Sequence, residues 1–151
     1  MTMREGGPIG DIQPLLPELQ RLFREHQVTL AYLFGSQATG KAGRLSDVDI
    51  AVLFAEGLSS CERFDLRCRL IAELMGVFRR NDVEVVDLAE ASPLLRNQVR
   101  RYGQLLYCQD DRLRVRFQTE ALRDYLDTRP IRQVQQNYLL RRIREGTYGR
   151  H

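Results

Sequence analysis

A stretch of alternating side chains between Asp47 and Phe54 constrains the fold of this chain more than any other feature. In a β-strand, successive side chains point to opposite faces of the sheet. One face of the predicted strand is wholly apolar and suits a core packed under helices; it consists of Val48, Ile50, Val52 and Phe54. The other face begins with two acids, Asp47 and Asp49, about 7 Å apart at a rise of ~3.3 Å per residue. The pattern predicts a strand with one buried face and a pair of carboxylates on the other.

A second predicted strand precedes the acids and ends in a glycine–serine turn. The apolar run from residue 28 to residue 34 leads directly into Gly35 and Ser36. Because glycine has no Cβ, its backbone can approach a triphosphate closely, and the serine hydroxyl can donate to a phosphate oxygen. The connecting loop, residues 37–46, carries Lys41 and Arg44. It either contacts nucleotide phosphates or is simply solvated, and the sequence leaves both possibilities open.

A third acid is expected from the segment 82–88, which reads Asp-Val-Glu-Val-Val-Asp-Leu. Its valines and its alternation favour a β-strand. If its apolar face matches that of the preceding strand, Glu84 joins Asp47 and Asp49, while Asp87 stays open as the alternative third carboxylate. Three carboxylates from two strands suit a pair of Mg²⁺ ions, because this cation takes few carboxylates and completes its shell with water and substrate phosphates.

The glycine–serine pair, ten further residues and then Asp47-Val48-Asp49 together resemble the signature of the polymerase-β-like nucleotidyltransferase superfamily. The likeness is greatest to its minimal nucleotidyltransferase (MNT) branch, stand-alone bacterial domains often paired with a HEPN-domain toxin. Segment 83–88 also resembles the pattern of that branch, with Glu84 where aspartate is common. The resemblance covers about residues 12–149.

This resemblance implies an α/β (α+β) fold in which a small mixed sheet is flanked by helices, with further helices at the C-terminus. It implies an enzyme that transfers AMP from ATP to a protein hydroxyl, a tyrosine of a cognate HEPN toxin, and so acts as an antitoxin. Asp47, Asp49 and Glu84 are then the catalytic residues and the ligands of two Mg²⁺ ions. Gly35 and Ser36 are then the nucleotide-binding residues.

Three other functions compete with this interpretation. A non-catalytic antitoxin would neutralise its partner by binding alone, although all the predicted acids are intact. A small-molecule transferase of the aminoglycoside type would need a second helical domain for its acceptor, which the sequence does not indicate. Direct nucleic-acid binding has no support from a helix–turn–helix or an RNP-like aromatic pattern.

Composition and charge bound the remaining possibilities. With 151 residues the chain is expected to form one domain. No run approaches the ~20 apolar residues of a membrane span, and the N-terminus lacks a signal-peptide core, so we expect a cytoplasmic protein. The odd, scattered Cys61, Cys68 and Cys108 match no zinc or disulfide pattern, and we expect buried or half-buried thiols.

Charge is divided unevenly along the chain. Residues 1–92 hold 10 basic and 14 acidic residues, a net charge of −4, and residues 93–151 hold 13 and 6, a net charge of +7. The acidic half suits divalent cations, and the basic half suits an anionic ligand or partner. The predicted docking surface for the partner is an arginine-rich set: Arg129, Arg132, Arg141, Arg142 and Arg144.

Periodicity and capping residues predict the remaining elements. Residues 1–11 form a disordered N-terminus, 12–108 the nucleotidyltransferase core and 109–151 a helical extension of the same domain. A strand at the sheet edge is expected over residues 104–108. Helices are expected over residues 12–26, 60–78, 93–102, 110–126 and 131–144, with Ser60 and Ser92 as N-caps of the second and third. His26 is expected to end the first helix. With Ser60 as the cap, Arg63 stands at N3 of the second helix and excludes a capping box, and Phe64 and Cys68 are among the candidates for its buried side.

Overall fold

The computed structural model describes residues 9–35, 47–129 and 141. A short 3₁₀ turn, Gln13–Leu15, leads into the first helix. In chain order the elements are α1 (Leu16–Glu25), β1 (Val28–Phe34), β2 (Val48–Phe54), α2 (Ser60–Phe78), β3 (Val83–Asp87), α3 (Pro93–Tyr102), β4 (Gln104–Cys108) and α4 (Asp111–Asp127). The predicted helix over residues 131–144 and residues 1–8 of the predicted N-terminus lie outside the described residues, Arg141 excepted.

The strands form one mixed sheet in the order β3-β2-β1-β4. β1 pairs antiparallel with both β2 and β4. β2 and β3 are parallel, and α2 provides the crossover connection that a parallel pair requires. The predicted mixed sheet and the predicted edge strand, β4, are therefore both confirmed.

Helices cover both faces of the sheet. On one face Val48, Ile50 and Val52 pack against apolar side chains of α1 and α2, among them Phe23 and Leu70. The opposite face carries Asp49 and Glu84, and we call it the acidic face. Its apolar part packs against α3 and α4; this second cluster contains Leu30, Tyr32, Ala51, Val99, Phe117 and Ala121. Helices α3 and α4 therefore cover the apolar part of the acidic face.

Helix α2 begins one residue differently from the prediction. Ser59, not Ser60, is its N-cap, and its hydroxyl accepts a hydrogen bond from the Glu62 amide at 3.1 Å. The Ser-x-x-Glu spacing of a capping box is thus present, although the choice of Ser60 had excluded it. The second predicted cap is confirmed, since Ser92 accepts from the Leu95 amide and Pro93 occupies the first helical position.

The prediction of buried or half-buried thiols is wrong for two of the cysteines. Cys61 and Cys68 are exposed on α2, and only Cys108 is partly buried. The buried residues of α2 are Leu70, Leu74 and Phe78, spaced four apart on one side of the helix. At about 100° per residue, positions 61 and 68 fall on the opposite side. Phe64, which was expected to be buried, is also 56% exposed on this surface.

Two further expectations have simple outcomes. His26 is the C-cap of α1, and its ring contacts the Leu22 carbonyl at 2.8 Å, as expected for a helix-terminal residue. Among the described residues, no helix has the length and apolar character needed to cross a membrane.

Candidate active site

Two neighbouring strands bring the predicted acids together. β2 and β3 run parallel in a register that pairs Asp49 with Glu84. Paired residues of adjacent parallel strands project from the same face, and their backbones lie about 4.8 Å apart. Asp47 is exposed and stands immediately before β2. The register agrees with the sequence-based expectation that Asp49 and Glu84 share one side of the sheet, and Asp47 stands outside the paired residues.

Burial and repulsion between neighbouring acids both disfavour the ionised form of Asp49. Asp49 is half-buried, whereas Asp47 and Glu84 are exposed. Burial raises the pKa of the Asp49 carboxyl above its usual value, and the negative charges of Glu84 and then Asp47 raise it further. A carboxylate responds in this way when like charges lie within a few ångströms. A bound cation would relieve both the repulsion and the cost of burial.

Gly35 lies against the carboxylate of Asp49. β1 and β2 pair Phe34 with Asp49, which brings the residue after β1 beside the acid. A Cβ at position 35 would stand 2.8 Å from Asp49 Oδ2, and the backbone φ there is +73°. Glycine is therefore required for a reason that the sequence did not indicate, because the space left by the missing Cβ is occupied by the acid. Ser36 and loop 37–46 lie outside the described residues.

The alternative third carboxylate, Asp87, lies on the other face of the sheet. It is 6% exposed and accepts a hydrogen bond from Arg63 Nε at 2.8 Å. Its second oxygen accepts from the Ala89 amide at 3.0 Å. Arg63 also donates to the Leu58 carbonyl and to Glu90. Asp87 is thus committed to an ion pair that joins α2 to the end of β3, and Glu84 is the acid beside Asp49.

One charged pair near the site was missed by the sequence reasoning. Arg80 is 1% exposed, and its guanidinium donates to both carboxylate oxygens of Asp82, at 2.7 and 2.5 Å. Charged residues such as Arg80 and Asp82, just after a helix, usually lie in a solvated turn. The sequence therefore did not indicate that Arg80 is buried.

A protein-family model described as polymerase beta, nucleotidyltransferase, matches residues 17–112. This range contains all the described strands and the three acids. The chain belongs to the polymerase beta nucleotidyltransferase family. It is thereby a member of a family of enzymes.

Relatives and solved structures narrow the likeness within the family. This nucleotidyltransferase is 40% identical over 97 residues to protein adenylyltransferase MntA of Shewanella oneidensis strain MR-1, a match that covers 62% of this chain and 66% of the relative. The match thus spans slightly less than two thirds of the relative's length. The solved complex of the tri-AMPylated Shewanella oneidensis HEPN toxin with the MNT antitoxin contains a similar chain, with 28% identity and a TM-score of 0.65. That alignment covers 86% of this chain and 99% of the other. A toxin–antitoxin structure with AMP-PNP gives 33% identity, a TM-score of 0.64 and coverages of 83% and 98%.

The donor set of this nucleotidyltransferase fits a magnesium ion that arrives with its substrate. Within residues 9–35, 47–129 and 141, no three acid, histidine or cysteine side chains are grouped closely enough to hold a metal ion by themselves. Mg²⁺ is usually held by one or two carboxylates together with water and substrate phosphates, so an open group of carboxylates is what it requires. Burial and the charges of Glu84 and Asp47 raise the pKa of Asp49, so a cation bound at this position would offset the cost of ionising it.

A cavity of about 560 Å³ lies elsewhere in the nucleotidyltransferase fold. It is lined by Leu53, Phe117, Arg96 and Arg116 among others, and its described lining includes none of the predicted site residues. Leu53 is four residues beyond Asp49, roughly 13 Å along β2. The acids therefore lie outside this cavity, near the starts of β2 and β3.

Proposed function

We propose that this nucleotidyltransferase is a protein adenylyltransferase that silences a partner toxin. It transfers AMP from ATP to a tyrosine hydroxyl of a HEPN-domain toxin and so acts as the antitoxin of the pair. The proposal is supported by the 40% identity to protein adenylyltransferase MntA. It is also supported by the structural likeness to a complex of an MNT antitoxin with a tri-AMPylated HEPN toxin.

The observation that carries the proposal is the pairing of Asp49 with Glu84 on adjacent parallel strands. Asp47 stands at the start of the same strand as Asp49, and its charge reaches that carboxylate. Asp47, Asp49 and Glu84 form no ion pair with any described residue, whereas Asp87 is paired with Arg63. Acids that form no ion pair with a described residue are suited to binding cations that a substrate brings.

The proposed site residues bind either the nucleotide or the metal. Gly35 and Ser36 bind the triphosphate and orient its α-phosphorus toward the acceptor. Asp47, Asp49 and Glu84 hold Mg²⁺. The likeness to a toxin–antitoxin structure with AMP-PNP supports ATP as the nucleotide. When bound, Mg²⁺ offsets phosphate charge and lowers the pKa of an acceptor hydroxyl.

The transfer itself is a displacement at phosphorus. The tyrosine oxygen forms a bond to the α-phosphorus of ATP, and the bond from that phosphorus to the bridging oxygen of pyrophosphate breaks. Pyrophosphate leaves with the electron pair, and the hydroxyl proton is released to solvent. The chain contributes by holding the two reactants in line, an effect that can supply much of the rate.

The test is transfer of label from ATP to a purified HEPN partner. ATP labelled at the α-phosphorus should label the partner in the presence of Mg²⁺, and ATP labelled at the γ-phosphorus should not. Chelation of the metal, or Asp49→Asn, should abolish labelling, and replacement of the acceptor tyrosine by phenylalanine should abolish it at that site. A partner that binds the wild-type chain but takes up no α-label would overturn the proposal.

That negative result would instead support the non-catalytic antitoxin. A partner whose toxicity is suppressed equally by the wild-type chain and by Asp49→Asn would support it in the same way.

We also propose that the arginine-rich docking surface binds the partner toxin. Arg129 and Arg141 are exposed, and Arg132, Arg142 and Arg144 lie outside the described residues.

A further inference from the structure

We propose that Arg80 is a positioning residue that acts on the acidic site through Asp82 and the backbone of β2. The effect on AMP transfer that we infer for Arg80 rests on the proposed function. The contacts that support the inference are separate from the evidence for that function. The residues involved connect the end of α2 to the start of β3. The acids lie near the starts of β2 and β3.

The first contact is a two-point hydrogen bond between the buried Arg80 and the partly buried Asp82. Arg80 Nε donates to Asp82 Oδ1 at 2.7 Å, and a terminal nitrogen of the same guanidinium donates to Oδ2 at 2.5 Å. The side chains are 1% and 14% exposed. A two-point contact between planar groups fixes orientation as well as distance. The position and direction of Asp82 are therefore set by Arg80.

The second contact joins Asp82 to the catalytic strand. The Asp82 carbonyl accepts a hydrogen bond at 2.8 Å from the amide of Val48. That amide belongs to the peptide group between Asp47 and Val48, so the bond holds the backbone directly after the first acid. It also begins the parallel register in which Asp49 meets Glu84 one residue later.

Arg80 is also electrostatically coupled to the site. Its hydrogen bonds to Asp82 raise the pKa of the guanidinium, burial opposes this, and the negative charges of Asp82 and Asp47 raise it further. The influence of Asp47 means that a buried positive charge lies close to the first acid. Arg80 therefore offsets part of the repulsion there.

Arg63 of α2 provides a matched control, because it pairs with Asp87 at the end of β3. It donates to Asp87 at the other end of β3, on the face away from the acids. Loss of Arg63 should weaken the fold without moving Asp47 or Asp49. Loss of Arg80 should disturb the acids directly. Partners that orient metal-binding side chains typically change metal affinity or activity by about 10–100-fold when removed.

The experiment compares Arg80→Met, Arg80→Lys and Arg63→Met with the wild type. Amide hydrogen exchange of Val48, relative to residues 50–52 in the same strand, reports the bond to Asp82 without any need for activity. The Mg²⁺ concentration for half-maximal AMP transfer reports the acids. Arg80→Met should accelerate exchange at Val48 and raise the Mg²⁺ requirement or lower the rate by about 10–100-fold. Arg80→Lys should be intermediate, and Arg63→Met should leave both measurements within about threefold of the wild type.

Because Arg80→Met leaves Asp82 without its counter-charge, it is the variant with the greatest risk of misfolding. The double variant Arg80→Met/Asp82→Asn removes both charges and keeps the comparison usable. Wild-type exchange at Val48 and a wild-type Mg²⁺ requirement in the double variant, or equal effects of Arg80→Met and Arg63→Met, would overturn the inference. Absence of AMP transfer by the wild type would instead reject the proposed function, and hydrogen exchange would still test the role of Arg80.

Discussion

The carboxylate of Asp49 occupies the space that a side chain at Gly35 would need. A Cβ built on Gly35 would stand 2.8 Å from Asp49 Oδ2, which is closer than real Cβ contacts allow. The turn after β1 and the acid of β2 therefore form one unit, in which the glycine permits the position of the carboxylate.

Replacement of Gly35 by alanine should separate strain from function. The φ of +73° costs a non-glycine residue about 1–3 kcal/mol of stability, and the new methyl group must also displace Asp49. Gly57→Ala is the control, since Gly57 has a φ of +89° with no atom within 4 Å. In thermal unfolding Gly35→Ala should lose at least as much stability as Gly57→Ala, but only Gly35→Ala should lose AMP transfer. Equal transfer by the two variants would contradict the role given to this contact.

Asp49→Asn should stabilise the metal-free protein at neutral pH. Burial and the charges of Glu84 and Asp47 raise the pKa of Asp49 above 3.8, so its ionised form is disfavoured in the folded state. The wild type therefore loses stability as the pH rises from about 3.8 through the raised pKa, whereas the asparagine variant does not. Thermal unfolding in a chelating buffer should show the advantage of the variant at pH 7, and the advantage should shrink toward pH 3.8. A variant less stable than the wild type at pH 7 would be inconsistent with this account.

Glu84 and Asp87 should respond in opposite ways to removal. Glu84 is exposed, so Glu84→Gln should change stability by no more than about 0.5 kcal/mol. It should reduce AMP transfer about 100-fold or more, because a metal ligand supplies several kcal/mol of transition-state stabilisation. Asp87→Ala removes the buried carboxylate of the Arg63 ion pair and should lower stability more than Glu84→Gln does, with transfer by the remaining folded protein preserved. Thermal unfolding and initial transfer rates measured on the same samples check both, and a reversal of this pattern would exchange the roles of the two acids.

Charge reversal in the arginine-rich docking surface should weaken partner binding. Arg141→Glu combined with Arg142→Glu should lower the affinity for a HEPN partner and slow its association, most strongly at low salt. Arg24→Glu combined with Arg69→Glu makes the same change in net charge at exposed residues of α1 and α2. Binding measured by surface plasmon resonance at two salt concentrations distinguishes local from overall charge. Equal loss in the two double variants would argue against a docking surface at the C-terminus.

Alternation made the strands and their faces predictable. The segment from Val48 to Phe54 predicted a half-buried strand with acids on one side, and the sheet contains that strand. The same reasoning on residues 83–87 put Glu84 and Asp87 on opposite sides, as they are. Local signals of this kind succeed because side-chain direction in a strand depends only on position along the chain.

Long-range contacts explain the errors. Cys61, Cys68 and Phe64 were expected to be buried because their side chains are apolar, but α2 turns its Leu70–Leu74–Phe78 side to the sheet. The covering of the acidic face by α3 and α4 likewise depends on packing between segments far apart in sequence. Neither result follows from the composition of the segment concerned.

The order and spacing of residues alone determined the strand–turn–strand unit, the acids that it carries and the family to which the chain belongs. Those properties follow from the two-residue period of a strand and from the chemistry of individual side chains. Only the tertiary structure decided that Asp49 meets Glu84 in register, that Gly35 makes room for the carboxylate and that Arg80 is buried against Asp82. These contacts join residues on separate elements, and their geometry exists only after parallel pairing and helix packing have brought those elements together.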